Sequence, residues 1–391
     1  MRAQMRNSLP VFLLLAFLPA AFAASSGTRP VSRTKSRSVT ESSATARKLT
    51  RARHSRAHRH VAYERFYTSS YATDQVAGDI AGGEDPVVRQ AAIDALAAMN
   101  GTIVAIDPES GRILAMVNQK LALSEGAEPC STIKLSVALA ALSEGIINKD
   151  TPVRLPGGGR MNLTRALAVS NNLYFEALGR KLGFEKMSYY AHQLGLGELA
   201  GWNIPQEHLG QYPAEELPQK LGGVGRMCSF GESISMTPLH LGALVAAISN
   251  GGTLYYLQHP GTPEEVVAFK PVIKRQLDIA PLIPEMSEGM AAAVDYGTAR
   301  TLHYNFNEVQ VLGKTGTCSN AGTRFGWFAS YANTGFGRIV TVVFLRGDRG
   351  VYGPKAAELA GRMYRNLYDH SFFAGSIVPS AAAAASRGAN Q

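Results

Sequence analysis

Several patterns that would indicate a cofactor or a metal are missing from this chain of 391 residues. Neither Gly-x-Gly-x-x-Gly nor the P-loop pattern is present, so no glycine-rich loop for nucleotide phosphates is predicted. No cluster of residues at metal-ligand spacing occurs in the part that we expect to fold, and the sequence has no internal repeats. Beyond the N-terminal region, no apolar run is long enough to cross a bilayer. The sequence therefore predicts neither a cofactor nor a metal ion.

Most of the chain lacks an excess of positive or negative charge, although the net charge of the whole protein is +9. Residues 24–66 carry eleven arginines and lysines against Glu41 and Glu64, whereas residues 67–391 carry 26 basic and 28 acidic side chains. The basicity thus belongs to a tail, and we do not expect binding to nucleic acid. The charge of the tail suits contact with an anionic membrane or a cell-wall polymer.

The N-terminus has the pattern of a secretory signal peptide. Arg2 and Arg6 precede an apolar run from Val11 to Ala24, which Pro19 interrupts, and Ala21-Phe22-Ala23 is a small-x-small cleavage site. The run is short for a membrane span, so a cleaved signal over residues 1–23 is favoured over an uncleaved anchor. The protein is therefore expected to be exported to the periplasm or another extracytoplasmic space.

Composition divides the remainder of the chain into three parts. Residues 24–84 are predicted to be a disordered basic linker, because most of this stretch has too few large apolar residues to build a core. The folded domain is expected over residues 85–370. Residues 371–391 contain an alanine-rich stretch and are expected to be a loose tail.

Two strands are predicted early in the domain and three late, with a mostly helical region over residues 145–300 between them. Alternating or continuous apolar runs mark the strands, which lie at residues 101–106, 112–117, 309–312, 325–331 and 337–345. The simplest fold is α+β, with one five-stranded antiparallel sheet flanked by helices and a helical lobe inserted into the chain.

An apolar helix is predicted to start at Ser131 and to end at Gly145. Lys134 lies three residues after Ser131, so both side chains project from the same face of the first turn. Burial and a second nearby cation would favour the neutral amine of Lys134 and make it a usable base. The alternative is structural, with Ser131 as an N-cap and Lys134 extending its amine to solvent.

Two further short motifs follow in the sequence. Ser170-Asn171-Asn172 stands at the start of a predicted helix, and Gly313-Lys-Thr-Gly-Thr317 is expected to end the strand that begins at Val309. Each has a structural alternative, a helix cap for the first and a strand-end turn for the second. Ser-x-x-Lys, Ser-Asp-Asn and Lys-Thr-Gly, in this order, form the signature shared by class A β-lactamases and penicillin-binding proteins. The chain matches this signature except for Asn171 in place of Asp.

On these motifs the chain resembles the penicillin-binding protein transpeptidase domain over most of residues 85–370. Further segments similar to that family are Gly195-Leu-Gly197, Ile204 to Gly210, Ser229 to Ser233, Met236 to His240 and Tyr296 to Ala299. The family fold, helices around a five-stranded antiparallel sheet, agrees with the prediction from strand patterns.

The resemblance implies catalytic roles for five side chains. Ser131 would attack the carbonyl of a D-alanyl-D-alanine stem peptide or of a β-lactam, and Lys134 would accept its proton. Ser170 would relay a proton to the leaving amine, while Asn172 would hold the acyl side chain and contact Lys134. Lys314 would place positive charge near the substrate carboxylate and help to keep Lys134 neutral.

The resemblance also implies a substrate-binding role for the residues after Lys314. Thr315 and Thr317 would bind the carboxylate and the peptide edge, and Gly316 would let the substrate come close. The backbone N–H groups of Ser131 and Thr317 would form the oxyanion hole.

The same chemistry leaves other activities open. A β-lactamase or a D,D-carboxypeptidase would use the same acyl-serine, although no Glu-x-x-x-Asn motif follows Ser170 at the spacing of class A β-lactamases. A third possibility is a non-catalytic β-lactam or cell-wall sensor, or a wall-binding protein that uses the basic tail. The intact Ser131, Lys134 and Lys314 favour the enzyme.

The chain has three cysteines, and two of them flank the motifs. Cys130 precedes the serine, where the family usually has Gly, and Cys318 follows Lys-Thr-Gly-Thr. Some class A carbapenem-hydrolysing β-lactamases have a disulfide between the same two relative positions. This likeness implies a Cys130–Cys318 disulfide with Cys228 left free, and the alternative is three buried, reduced thiols.

Overall fold

The structure is a computed structural model that describes residues 65–334 and 337–374. Predictions for residues 1–64 and 375–391, which include the signal peptide, most of the linker and most of the C-terminal tail, lie outside the described residues. Within the described residues, no helix is both long and apolar enough to span a bilayer.

A five-stranded antiparallel sheet in the order β2-β1-β9-β8-β7 forms the centre of the domain. The described strands are β1 Gly101–Ile106, β2 Ile113–Val117, β3 Val153–Arg154, β4 Arg160–Met161, β5 Thr253–Tyr256, β6 Val272–Gln276, β7 Val311–Asn320, β8 Thr323–Thr334 and β9 Gly337–Gly347. Strands β3 and β4 form one small sheet, and β5 and β6 form another.

Helices cover both faces of the central sheet. They are α1 Pro86–Leu96, α2 Gln119–Ala122, α3 Lys134–Ser143, α4 Leu163–Ala168, α5 Asn172–Gln193, α6 Gly223–Phe230, α7 Pro238–Ser249, α8 Pro263–Val267, α9 Ile283–Asp295 and α10 Gly353–Asp369. Because side chains alternate along a strand, β9 serves two cores. Val340, Val342 and Phe344 join the core of α3, α5 and α7, while Val343 and Leu345 join the core of α1 and α10.

Local sequence explains where the helices next to the site begin. Thr237 caps α7 by accepting a hydrogen bond from the N–H of His240, and Pro238 takes the first helical position. The side chain of Asn171 accepts from the N–H of Tyr174 and so fixes the start of α5. Asn172 is therefore held at the first position of α5.

The predicted fold is confirmed, with the two early and three late strands in one sheet. Helix α5 has a kink at the non-helical Gly183 (φ 77°), so its first helical part ends at Leu182 and a second part runs to Gln193. Two details differ from the prediction. The region over residues 145–300 also contains the two small sheets, because β3 and β4 have only two residues each and β5 and β6 are mostly half-buried or exposed and lack a continuous apolar run. Strand β7 does not end at the Lys-Thr-Gly-Thr motif but runs on to Asn320.

The predicted disorder of residues 24–84 is wrong for residues 65–84, which form an N-terminal strap along the domain. The N–H of Tyr67 donates to the carbonyl of Gly322 (2.9 Å), and the Oγ of Ser70 donates to Asp348 (2.6 Å). The carboxylate of Asp79 accepts from the backbone N–H groups that begin α2. The strap is fixed by hydrogen bonds rather than by apolar burial, which is why its composition resembled that of a linker.

The C-terminal boundary also differs slightly from the prediction. We expected residues 371–391 to be loose, but Phe372–Ala374 forms a 3₁₀ turn whose Phe373 is buried beside Tyr364 and Phe306. The buried ring extends the domain to the last described residue.

Candidate active site

The predicted serine lies in a tight turn just before the buried helix α3. We name residues 128–133 the serine turn, and its last four residues, Cys130–Ile133, form a 3₁₀ helix that leads into α3. Cys130 has a left-handed backbone (φ 52°), a conformation that is unfavourable for any residue other than glycine. Glycine would adopt this conformation without that cost. The turn is also held from within, because the hydroxyl of Thr132 donates to the carbonyl of Pro129 (2.6 Å).

Lys134 is fully buried and brings the predicted residues together. Its Nζ donates to the Oγ of Ser131 (2.9 Å), to the Oδ1 of Asn172 (2.6 Å), and to both the carbonyl oxygen (2.8 Å) and the Oγ (3.1 Å) of Ser170. The spacing of Ser131 and Lys134 thus predicted their contact correctly. The alternative, a lysine that extends its amine to solvent, is excluded by this burial.

Burial holds the pKa of the Lys134 amine well below its usual range. The positive charge of Lys314 lowers this pKa further, and the negative charge of Glu176 on α5 partly opposes both effects. A lowered pKa increases the fraction of neutral amine at pH 7, and the neutral amine is the form that can accept a proton.

Ser170 stands between two amines. Its Oγ lies 3.1 Å from the Nζ of Lys134 and 2.9 Å from the Nζ of Lys314. The residue has a left-handed backbone (φ 54°) in the connection between α4 and α5. An ordinary serine seldom adopts this conformation, so its surroundings hold it there.

Lys314 occupies the middle of β7 and is also fully buried. Its Nζ donates to the Oγ of Ser170 and to the carbonyl of Thr315 (2.8 Å). Burial lowers the pKa of Lys314 to about 7. The site therefore contains two amines with depressed pKa values on either side of one hydroxyl.

The threonines of the motif have partners within the protein. The Oγ1 of Thr315 lies 2.5 Å from the Oγ1 of Thr298, and the Oγ1 of Thr317 accepts from the N–H of Gly353 (2.7 Å). Both are positioned by neighbouring elements, and their predicted contacts with a substrate stay predictions. The predicted oxyanion donors, the N–H groups of Ser131 and Thr317, lie on the serine turn and on β7, and that role also stays a prediction.

Gly316 lies against the serine turn. A Cβ on this residue would be 2.8 Å from the carbonyl oxygen of Pro129 and 3.2 Å from a methyl carbon of Thr132. We expected Gly316 to give room to a substrate. That role stays a prediction, and the position of Gly316 next to Pro129 shows that it lets β7 approach the serine turn.

Cys130 and Cys318 place their sulfur atoms 1.98 Å apart, the separation of a disulfide, while Cys228 is free and buried. The arrangement is the one that the predicted pairing requires. It would join the serine turn to β7 only a few residues from Ser131 and Lys314.

Two residues that support the site, Thr298 and Trp327, have no role in the sequence prediction. Thr298 lies in the segment Tyr296 to Ala299, which we noted for its resemblance but to which we gave no role. Trp327 on β8 is fully buried, and its indole N–H donates to the carbonyl of Glu128 in the serine turn (2.9 Å). No signal in the sequence indicates this contact, because it depends on how β8 pairs with β7.

The arrangement provides a serine hydroxyl beside a buried amine of low pKa, the combination needed for nucleophilic acyl transfer. Nothing in the described part of the chain groups three or more histidine, cysteine or acidic side chains as a metal ion would require.

Among curated proteins, the chain is 25% identical over 284 residues to the peptidoglycan D,D-transpeptidase MrdA of Acinetobacter baumannii, with coverage of 57% of this chain and 42% of that protein. It is 28% identical over 257 residues to the stage V sporulation protein D of Bacillus subtilis, with coverage of 55% and 39%. The chain thus matches less than half the length of these two relatives.

Solved structures share the fold. The crystal structure of Pseudomonas aeruginosa PBP2 in complex with WCK 5153 aligns with a TM-score of 0.60 and 23% identity, covering 74% of this chain and 77% of that one. The D,D-transpeptidase domain of a peptidoglycan glycosyltransferase from Eggerthella lenta aligns with a TM-score of 0.58 and 20% identity, covering 74% and 82%. At this identity the likeness shows the fold alone. The model of one family, the penicillin binding protein transpeptidase domain, matches residues 101–368, and the chain belongs to that family.

Proposed function

We propose that the chain is a peptidoglycan D,D-transpeptidase that forms an acyl-enzyme with stem peptides ending in D-alanyl-D-alanine. The observation that carries the proposal is the position of the Lys134 amine, 2.9 Å from the Oγ of Ser131 and fully buried. A buried amine of lowered pKa can accept the proton of a serine hydroxyl within hydrogen-bond reach. The membership of the family and the named activities of its relatives support the same reading.

In the first half of the proposed reaction, the Oγ of Ser131 attacks the carbonyl carbon of the penultimate D-alanine. Lys134 takes the hydroxyl proton as the new C–O bond forms. The C–N bond to the terminal D-alanine then breaks, and Ser170 passes a proton from Lys134 to the leaving amine. The contact of the Ser170 hydroxyl with both lysine amines supports this relay.

In the second half, the amine of a neighbouring stem peptide attacks the ester carbonyl. Lys134 accepts a proton from that amine, the C–O bond to Ser131 breaks, and a proton returns to the Oγ of Ser131. The product is a new amide cross-link and a free serine. Water in place of the amine would give hydrolysis, which is the D,D-carboxypeptidase outcome.

The substrate carboxylate is assigned to the β7 end of the site. Lys314 supplies positive charge there, and Thr315 and Thr317 supply hydroxyl groups on the same strand. The backbone N–H groups of Ser131 and Thr317 are assigned to the oxyanion, where preorganised donors would stabilise the developing negative charge. A β-lactam would enter as a covalent inhibitor, because its acylated serine mimics the ester intermediate.

Labelling with a fluorescent penicillin tests the acyl-serine chemistry. The folded wild type should gain one covalent label, and Ser131→Ala should gain none. Ser136→Ala, at a serine on α3 one turn further from the site, is the matched control and should label like the wild type. Absence of an adduct on folded wild type would contradict the enzyme and leave the sensor or wall-binding protein.

The fate of the adduct separates the remaining activities. A transpeptidase should hold the penicilloyl ester for many minutes, whereas a β-lactamase should release it quickly. With a D-alanyl-D-alanine stem peptide and a competing amine, mass spectrometry should find the aminolysis product in a transpeptidase and mainly the hydrolysed peptide in a carboxypeptidase.

We also propose that the protein works outside the cytoplasm. The signal-like residues 1–23 and the family of cell-wall enzymes support export, and the basic residues of 24–64 support contact with an anionic membrane or wall polymer. N-terminal sequencing of the secreted protein and sedimentation with anionic vesicles would test the two statements separately.

A further inference from the structure

The serine turn contains an unfavourable backbone conformation that the rest of the fold must hold in place. Cys130 directly precedes the serine and has a φ of 52°. Such a conformation persists only where the surrounding structure determines it. A group that fixes the backbone just before Cys130 therefore helps to fix where the Oγ of Ser131 points.

Trp327 provides such a group from outside the turn. Its indole N–H donates to the carbonyl oxygen of Glu128 over 2.9 Å, two residues before Cys130. The indole is fully buried and Glu128 is half-buried, so the N–H has no access to water in place of this carbonyl. Loss of the N–H would remove the hydrogen bond that holds this carbonyl in place.

Strand pairing places the indole of Trp327 next to Glu128. Trp327 on β8 is paired with Gly316 on β7 and with Phe344 on β9. Gly316 has no side chain, and a Cβ there would lie 2.8 Å from the carbonyl oxygen of Pro129 and 3.2 Å from the Cβ of Trp327, so this glycine lets Trp327 and the serine turn approach the same point of β7. On the other side, the ring of Phe344 stacks on the indole at a centroid distance of 4.0 Å and fixes its plane.

We propose that Trp327 is a positioning residue for acylation, whose indole N–H holds the serine turn in the geometry that aims Ser131. The proposal rests on the acyl-serine function proposed above. Trp327 acts through Glu128 and the left-handed Cys130 and does not itself take part in proton transfer. Its removal should therefore slow the chemical step more than it weakens the initial binding of a β-lactam.

The decisive variant is Trp327→Phe, which keeps an aromatic ring against Phe344 and removes the N–H. Stopped-flow acylation by a chromogenic cephalosporin, measured over a range of concentrations, separates the acylation rate constant at saturation from the dissociation constant of the first complex. We expect the rate constant to fall roughly 10- to 100-fold, as displacements of about 1 Å at reacting groups produce, with little change in the dissociation constant.

The other tryptophan of the chain provides the matched control. Trp202 is 46% exposed, outside the site, and packs edge-to-face on Tyr256. Trp202→Phe should acylate like the wild type. In that variant the tryptophan fluorescence comes from Trp327 alone, so an emission shift on acylation would report directly on the indole beside the serine turn.

Titration of the fraction of protein that can be acylated distinguishes a positioning role of Trp327 from a role in stability alone. Partial unfolding of Trp327→Phe would reduce the amount of protein that labels but would leave the rate constant of the folded fraction unchanged, and that result would overturn the proposal. If Trp327→Phe does not fold, β-(3-benzothienyl)alanine replaces Trp327 in the Trp202→Phe background. This residue has the shape of tryptophan with sulfur in place of the N–H.

The outcomes keep the two proposals apart. A wild type that forms no adduct contradicts the acyl-serine function itself. A wild type that labels, with a Trp327→Phe or benzothienyl variant whose acylation rate constant is unchanged, leaves that function intact and overturns the role of Trp327.

Discussion

Lys134 and Lys314 meet at a single oxygen, the Oγ of Ser170, which lies 3.1 Å from one Nζ and 2.9 Å from the other. Both lysines are fully buried, so the cost of burying charge lowers both pKa values. The positive charge of Lys314 lowers the pKa of Lys134 further. The pair therefore loses a proton more readily than two exposed lysines would, and one amine is free to act as a base.

Lys314→Met should move the acid limb of the acylation rate profile to higher pH. The charge of Lys314 lowers the pKa of Lys134, so its removal raises that pKa, and acylation needs the neutral Lys134 amine. The measurement is the second-order acylation constant of a fluorescent penicillin against pH. Lys186→Met, at a largely exposed lysine, is the control and should leave the limb in place. An unmoved limb in Lys314→Met would contradict the assignment of Lys134 as base.

Glu176→Gln should move the same limb in the opposite direction. The negative charge of Glu176 raises the pKa of Lys134, so its removal lowers that pKa and leaves more neutral amine in acid. The same pH series measures it, with Glu185→Gln on the same helix as the control. If Glu176→Gln and Lys314→Met shift the limb in the same direction, then the titrating group is not Lys134.

A Cys130–Cys318 disulfide should be visible by counting thiols. Denatured but unreduced protein should take one alkyl group, at Cys228, and reduced protein should take three. Cys228→Ser should take none without reductant. Because the bond would close a loop of 188 residues, Cys318→Ser should lower the free energy of unfolding by about 2–5 kcal/mol. Three reactive thiols in unreduced protein would show that the bond is absent.

Gly316→Ala should impair both stability and acylation. The new Cβ would lie 2.8 Å from the Pro129 carbonyl oxygen, a backbone atom, so either β7 or the serine turn must move. We expect a loss of about 1–3 kcal/mol in unfolding free energy, typical of overpacking, together with slower labelling. Gly159→Ala is the control, since nothing lies within 4 Å of its added Cβ. Wild-type labelling in Gly316→Ala would show that the turn tolerates a wider spacing.

Strand patterns and short motifs predicted the sheet and the central contact of the site. Apolar runs identify β1, β2 and β9 because those strands are buried, and the three-residue spacing of Ser131 and Lys134 places both on one helical face. The roles of Ser170, Asn172 and Lys314 were implied by the family resemblance. In the structure, Ser170 and Asn172 contact the amine of Lys134, and Lys314 contacts the hydroxyl of Ser170.

Other features could not be read from the sequence, because they depend on partners far along the chain. The left-handed turn at Cys130 has no local signal, since cysteine does not favour positive φ. The Trp327 contact depends on the register between β8 and β7. Residues 65–84 have the composition of a linker, and the hydrogen bonds that order them involve Asp348, Gly322 and the start of α2, which lie far along the chain.

The N-terminal strap limits how far the protein can be shortened at its N-terminal side without an effect on the active site. A fragment that begins at residue 85 keeps every catalytic candidate but loses Asp79, whose carboxylate accepts from the N–H groups of Asn118 and Gln119 and from the guanidinium of Arg89. The two N–H groups lie at the start of α2, from which the chain leads to the serine turn, and Arg89 lies on α1. Removal of Asp79 would leave the N–H groups at the start of α2 without their acceptor. A truncation at the boundary that composition predicts would therefore weaken the active site, although it removes no catalytic residue.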